Sequence, residues 1–451
     1  MSAIIILTIS SLLILFFGFS KQRGVILPLS FIALIASFAM IAMDNNFWSE
    51  YLTNMISIQS SSKSFALLIC AIAICIFPFF HELLQRGNEE LADFIGIILL
   101  SLVGAIIMVS YQNMMTLFLG IEILSIAMYV LAGANRRSVN SNEASIKYFI
   151  LGSFASAILL FGIALYYAAT GSLSIINPKL INSELYQFSL LIIFSGFSFK
   201  VALAPFHFWV ADVYQGTPTL FVTVMATIVK IAGFGAFAQF VLSQNSVLPS
   251  WINWFFALII LASMFIGNIF AYSQSSVKRI LAFSSVVQSG FILMGIINLD
   301  ANNSWSLIYY LTAYALASIV TFIVVYFVEE QAGSDHLDSF AGLSKSNPVL
   351  AVVMSIALIS LAGVPLTAGF MSKLYVLRNI NSIGFTALMV IALVLAAVSF
   401  YYYFKIINAM FSPSGDRRWS VHFSYSAVLV FITIAIIFLG VMPGVLHGFL
   451  G

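Results

Sequence analysis

Runs of about 20 apolar residues, the length at which a helix crosses a bilayer, recur from one end of this chain to the other. Read between charged residues and Pro, Gly or Asn breaks, about fourteen of them appear: 3–20, 24–43, 64–80, 94–110, 112–132, 145–169, 186–212, 218–242, 251–272, 278–298, 304–328, 348–379, 382–409 and 423–447. Only 8% of the residues are charged, against about 25% in an ordinary soluble domain, so charge cannot cover a soluble surface. Disorder is excluded by the 62% hydrophobic content, and no basic stripe offers itself to nucleic acid. Cys70 and Cys75 are five apart, which turns a helix through about 140° and faces them away from each other. Two thiols are also too few for an iron–sulfur or zinc site. The class is a polytopic membrane protein.

The connections carry an orientation signal. With the N-terminus outside, the inner connections hold Lys21, Arg23, Arg86, Arg136, Arg137, Lys147, Lys278, Arg279, Lys345, Lys405, Arg417 and Arg418, and the outer ones Lys63, Lys179 and Arg378. An even number of spans then puts both termini outside. The first run lacks a preceding basic residue and is followed by Lys21 and Arg23, the wrong polarity for a cleaved signal peptide, so it is expected to stay as a first helix.

A weak internal repeat divides the chain into 1–93 (three helices), 94–242 (a first five-helix block), 251–409 (a second) and 410–451 (a last helix). Five helices is an odd number, so the second block is expected to be inverted across the membrane. Pro205 and Pro365 fall at matched depths in the two blocks, each inside an unusually long run. Each proline either kinks a helix or breaks it near the midplane, as in transporters built from inverted repeats. The expected fold is all-α, with about fourteen transmembrane helices, inverted five-helix repeats and broken helices 7 and 12.

Four ionisable groups stand out well inside apolar runs, away from the connections: Glu122 in 112–132, Lys200 in 186–212, Lys230 at the centre of 218–242, and Lys373 beyond Pro365. Each costs about 2.5–3.5 kcal/mol at the bilayer centre on insertion scales. A buried lysine near a carboxylate is a site whose proton a neighbouring charge can switch; the structural alternatives are a snorkelling side chain or a static ion pair. His207, beside Pro205, either relays protons to Lys200 or binds carbonyls freed at the break. His81, His336, His422 and His447 read as interfacial, Lys278-Arg279 and Lys405 as topology or belt residues, and Asp212 as a helix cap or an uptake carboxylate. Ser284, Ser285, Ser289 and Gly290 either line a wet path or permit close packing. No Walker loop, dinucleotide fingerprint, paired haem histidines or nucleophile elbow is present.

The stretch Gly196-Phe197-Ser198-Phe199-Lys200-Val201-Ala202-Leu203-Ala204-Pro205-Phe206-His207-Phe208-Trp209, continuing to Asp212-Val213-Tyr214-Gln215-Gly216, closely resembles the antiporter-like membrane subunits of proton-pumping NADH:quinone oxidoreductase, respiratory complex I. Its form is most similar to the subunit N group. Leu119-Gly120-Ile121-Glu122, Ser276-Val277-Lys278-Arg279 and Gly369-Phe370-Met371-Ser372-Lys373 match more broadly and are shared with Mrp-type cation/proton antiporters. The resemblance implies a proton relay through Glu122, Lys200, Lys230 and Lys373, with His207 a possible member. Lys373 stands where subunit M is expected to carry a glutamate, and a sequence ending at Gly451 is not expected to carry the lateral helix of subunit L. The resemblance further implies no cofactor in this chain, with FMN, iron–sulfur clusters and quinone in partner subunits. The expected partners are other complex I membrane subunits and the lipid bilayer, with no nucleic acid. The expected location is the bacterial inner membrane with both termini periplasmic.

Overall fold

The computed structural model describes residues 1–19, 23–43, 54–58, 60–85, 90–175, 183–244, 248–297, 299, 304–413 and 420–446. Lys21, Arg86, Lys179, Arg417, Arg418 and His447 lie outside them. The main helices are α1 (Ser2–Gly18), α2 (Ile26–Ala42), α3 (Ser60–Ile76), α4 (Leu91–Ser110), α5 (Met114–Ala132), α6 (Val139–Thr170), α7 (Glu184–Lys200) and α8 (Val210–Gly216). They continue with α9 (Thr219–Gln244), α10 (Trp251–Ser273), α11 (Val277–Met294), α12 (Ser304–Ala332), α13 (Pro348–Ala362), α14 (Ala368–Ser382), α15 (Thr386–Phe411) and α16 (Phe423–Val441).

Local chemistry starts these helices where the apolar runs begin. Ser138, Ser183 and Ser276 accept hydrogen bonds from the first-turn amides of α6, α7 and α11, and Asn113 does so for α5. Asn347 caps α13, with Pro348 at the first helical position, where its missing N–H costs nothing.

Among the described residues, ten helices are long and apolar enough to cross a membrane, and α1, α2 and α13 are shorter apolar helices. Two of the four spans by which this falls short of the expected count are α1 and α2, each 17 residues long; the other two have a local reason. Hydropathy reads 186–212 and 348–379 as continuous, but helical hydrogen bonding stops inside each, leaving pieces shorter than a span. Burial sorts the rest. The span windows of α9 and α12 are 100% buried and that of α11 is 94% buried, whereas α15 and α16 reach 33%. Helices apolar all round are buried, so α9, α11 and α12 form the axis and α15 and α16 present their outer faces to lipid. The first three helices are not a separate body, since α1 packs on α4 and α3 on α9.

The first interruption spans 201–209. Ala202 takes a positive φ of 58°, a conformation costing on the order of 1–3 kcal/mol for a residue with a side chain. Its freed backbone groups find partners inside the protein: Ala204 N donates to Ser263 Oγ at 2.9 Å, Phe199 O accepts from Trp209 Nε1 at 3.2 Å, and Val201 O accepts from Ser289 Oγ at 2.7 Å. The second spans 363–367, with φ of 89° at Gly363 and 72° at Leu366. After it, α14 restarts against the end of α13 so closely that a Cβ on Gly369 would lie 1.7 Å from Ser360 O, which restricts the position to glycine.

Candidate functional site

All three intramembrane lysines are buried, with exposures of 9% for Lys200, 1% for Lys230 and 6% for Lys373. Lys200 ends α7 at the first interruption. Its Nζ donates to Ser125 Oγ at 2.9 Å, Ser156 Oγ at 3.2 Å and Tyr129 OH at 3.5 Å, and lies 5.9 Å from the Tyr129 ring centre. Glu122 makes no ion pair with it, and Glu122 Oε1 is buried without a hydrogen-bond partner. The carboxylate instead sits one helical turn before Ser125, on the same side of α5. The seryl hydroxyl that accepts from Lys200 thus shares a helix side with the carboxylate.

Lys230, at mid-helix in α9, donates to Ser285 O at 2.5 Å and to Ser289 Oγ at 2.7 Å. Ser289 Oγ in turn donates a hydrogen bond to Val201 O at 2.7 Å, the carbonyl next to Lys200. Its neighbour Gln288 donates to Leu361 O at 2.8 Å, the same oxygen that Lys373 Nζ reaches at 3.0 Å. Lys373 also holds Ala362 O at 2.7 Å. Two adjacent residues of α11 thus touch both interruptions, Ser289 the first and Gln288 the second. Tyr310 OH donates to Gln288 Oε1 at 2.6 Å, and Gln288 Nε2 also reaches Tyr403 OH at 3.1 Å, which is 2.5 Å from Ser284 Oγ.

Sequence reasoning singled out the lysines and left open the serines of 278–298. Ser285, through its carbonyl, and Ser289, through its hydroxyl, bind Lys230. Gln288, Ser125, Ser156, Tyr310 and Tyr403 were missed. One signal existed: α11 has the lowest hydropathy of the ten candidate spans, 1.3, while 94% buried. His207 lies away from this chain of contacts. It is buried, stacks on Phe208 with ring centres 4.8 Å apart, and makes no hydrogen bond to Lys200.

A second set of charges gathers at the end of the bundle that carries residues 133–138. Asp212, in the first turn of α8, pairs with Lys147 at 2.8 Å and Arg279 at 2.7 Å, and Lys147 also pairs with Glu143 at 2.6 Å. Lys278 is buried and pairs with Glu329 at 2.9 Å. The Lys278-Arg279 doublet, read as a topology signal, therefore also clamps the two ends of α8: Arg279 holds Asp212 and Gln215, and Lys278 holds Thr217 O at 3.3 Å. Lys405 donates to Gln274 O at 2.9 Å, His422 caps α16, and His81 Nδ1 lies 3.2 Å from Tyr425 OH. Among the described residues no group of three or more His, Cys, Asp or Glu is placed to hold a metal, and Cys70 and Cys75 are free thiols.

Buried lysines at and between two helix interruptions inside a bundle of apolar helices define the class of antiporter-like membrane modules. The family model described as "NADH:quinone oxidoreductase/Mrp antiporter, TM" matches residues 112–399. A protein of Cytophaga hutchinsonii named NADH-quinone oxidoreductase subunit N is 38% identical over 99% of this chain and 98% of its own length. A chain in the structure of respiratory complex I from Thermus thermophilus with bound aureothin is 30% identical, covering 99% of this chain and 98% of that one, with a TM-score of 0.84. The Mrp complex of a Dietzia strain, at 19% identity and a TM-score of 0.84 over 100% of this chain and 96% of that one, shares the fold. This chain belongs to the NADH:quinone oxidoreductase/Mrp antiporter membrane family, in its subunit N group.

Proposed function

We propose that this chain is a proton-translocating membrane subunit of respiratory complex I, and that its protons move through Glu122, Lys200, Lys230 and Lys373. Its partners are the other membrane subunits of that complex. Electron transfer from NADH to quinone, with its FMN and iron–sulfur clusters, belongs to other subunits and reaches this chain as a change of charge at a neighbour. The observation that supports the relay is the shared contact with α11: Lys230 donates to Ser289 Oγ, which donates to Val201 O at the first interruption, and Lys373 and Gln288 donate to the same oxygen, Leu361 O, beside the second. Moving one proton against 100 mV costs about 2.3 kcal/mol, less than the roughly 3–5 kcal/mol at stake when a buried charge loses its partner.

The chain lies in the bacterial inner membrane with about fourteen spans, both termini outside and its two five-helix blocks inverted. The bundle end carrying 133–138 is then the inner face. Two experiments test this reading. Isolation in mild detergent should bring flavin and iron–sulfur proteins with the chain, and isolation with cation-antiporter subunits alone would contradict it. A cysteine at Ser138 should be shielded from impermeant thiol reagents in intact cells, and labelling from outside would reverse the topology.

A further inference from the structure

Beyond Lys200 and Lys230, towards the end of the bundle opposite 133–138, phenyl rings fill the seam between α7 and α9. Hydrogen bonds define that end. Met114 N, at the start of α5, donates to Leu173 O at 2.9 Å, and Gln244 Nε2, at the end of α9, donates to Ile175 O at 3.4 Å. Tyr186 OH, in the first turn of α7, donates to Gln244 Oε1 at 3.0 Å. The two helices are therefore antiparallel, and their seam can be followed rung by rung. Just past the lysines Val201 lies against Gly233, where a Cβ would come within 2.6 Å of Val201 Cγ1. One turn further Phe197 stacks on Phe237 with ring centres 5.0 Å apart. Next Phe194 lies 5.3 Å from Phe237 and 5.8 Å from Phe240. Phe256 of α10 closes the side, 5.0 Å from Phe194 and 5.6 Å from Phe237. All five rings are 1% exposed or less.

Buried aromatic rings in contact are ordinary core packing, so position decides. Phe197 precedes Lys200 by three residues and Phe237 follows Lys230 by seven, spacings that keep each ring on its lysine's side of the helix. From Gly233 to Phe240 is about 10 Å of helix, and a phenyl ring offers water no polar atom. On the adjoining side of α9, Tyr111 OH occupies Ala236 O at 3.1 Å. The hydrogen-bond partners of Lys200 Nζ lie elsewhere, on α5 and α6. A buried water needs roughly 2–4 polar partners and apolar voids stay dry, so this stretch supports no file of water. The second block differs at the matching place. Past Lys373 the rings are Trp305, Tyr309 and Tyr375, with centres 4.9, 5.2 and 5.4 Å apart. There Tyr309 OH donates to Leu439 O at 2.7 Å and Asn379 Nδ2 to Ser306 Oγ at 2.9 Å.

We propose that Phe194, Phe197, Phe237, Phe240 and Phe256 form a dry plug that insulates Lys200 and Lys230 from the outer face, so that a proton held in the first block cannot escape along α7 and α9. The proposal rests on the functional reading for its direction, the end opposite 133–138 being the outer one. No bond forms or breaks at the plug. Its work is exclusion: a proton crossing it needs a hydrogen-bonded carrier, which the rings deny.

Sealed vesicles holding the assembled complex, kept from turning over by leaving out NADH, are given a pH step, and its decay is read from an entrapped pH-sensitive dye. Phe237→Ser removes the ring that touches Phe194, Phe197 and Phe256 and puts a hydroxyl in its place. The proton leak through the complex should rise about tenfold, roughly 1.4 kcal/mol off the barrier. Phe237→Leu keeps the place apolar and should stay as tight as the unaltered complex. Because loss of a buried ring threatens folding, Phe237→Tyr is the second variant: it keeps the ring, adds a hydroxyl and should leak by a smaller factor. An assembled serine variant as tight as the unaltered complex would overturn the plug, as would a tight tyrosine variant where serine prevents assembly. A leucine variant that leaks like the serine one would also overturn it, since filled space and not dryness would then be what the rings provide. The leak is read without turnover, so plug and relay fail separately. Normal pumping in Lys230→Met beside a leaking Phe237→Ser sinks the relay alone; impaired pumping beside a tight Phe237→Ser sinks the plug alone.

Discussion

The two helix interruptions each carry a buried lysine, yet the lysines are held by different chemistry. Lys200 rests on hydroxyls, Ser125, Ser156 and Tyr129, with the Glu122 carboxylate one turn away. Lys373 rests on backbone carbonyls, Leu361 O and Ala362 O, that the second interruption set free. A hydroxyl turns to donate or accept, so the site around Lys200 suits either protonation state. A carbonyl only accepts, so Lys373 is part of the structural solution to its own break as well as a candidate proton carrier. The difference teaches that position at a break does not by itself assign a role, whereas the partner atoms do.

The comparison can be broken most sharply by removing the donor while keeping the stem. Lys373→Met leaves Ala362 O without a partner, and an orphaned buried acceptor costs about 1–3 kcal/mol. Lys200→Met leaves hydroxyls that rebond to one another, so the assembled complex should survive heating in detergent better than the Lys373 variant. Equal losses would erase the distinction drawn here.

Lys373→Arg sharpens it from the other side. Arginine still donates to both carbonyls and effectively cannot deprotonate. The complex should assemble and pump about tenfold more slowly, an effect of roughly 1.4 kcal/mol; normal pumping would leave Lys373 a purely structural residue.

At the first break the expected effect is smaller. Glu122→Gln and Lys200→Ala should each lower proton pumping with the complex intact. Because they make no ion pair, their coupling in a double-mutant cycle should be modest, about 0.5 kcal/mol, the low end for groups sharing a network. Strict additivity would mean that the two groups act independently.

Much of this was legible in the residues. Charges inside apolar runs are too costly to be incidental, so Glu122, Lys200, Lys230 and Lys373 stood out at once. The prolines marked both interruptions because a proline removes a helical donor. What stayed hidden has physical reasons. Ser125 and Ser156 look like any serine that bonds its own helix, and Ser125 does donate to Ile121 O at 2.6 Å. Gln288 is uncharged and gave no alarm, though it joins the second break to Tyr310 and Tyr403. The pairs Lys147–Asp212 and Arg279–Asp212 join residues more than 60 apart, which no local pattern records. Glu122 and Lys200, two opposite buried charges, make no ion pair, and Lys200 is held by hydroxyls instead.

The central claim is that Lys230 passes protons between the two breaks through α11, and one measurement tests it directly. Lys230→Met keeps the stem and removes the titrating group, so its complex, reconstituted in sealed vesicles, should oxidise NADH while translocating fewer protons per electron pair than the unaltered complex. An unchanged ratio in an assembled complex would show that protons do not pass through Lys230.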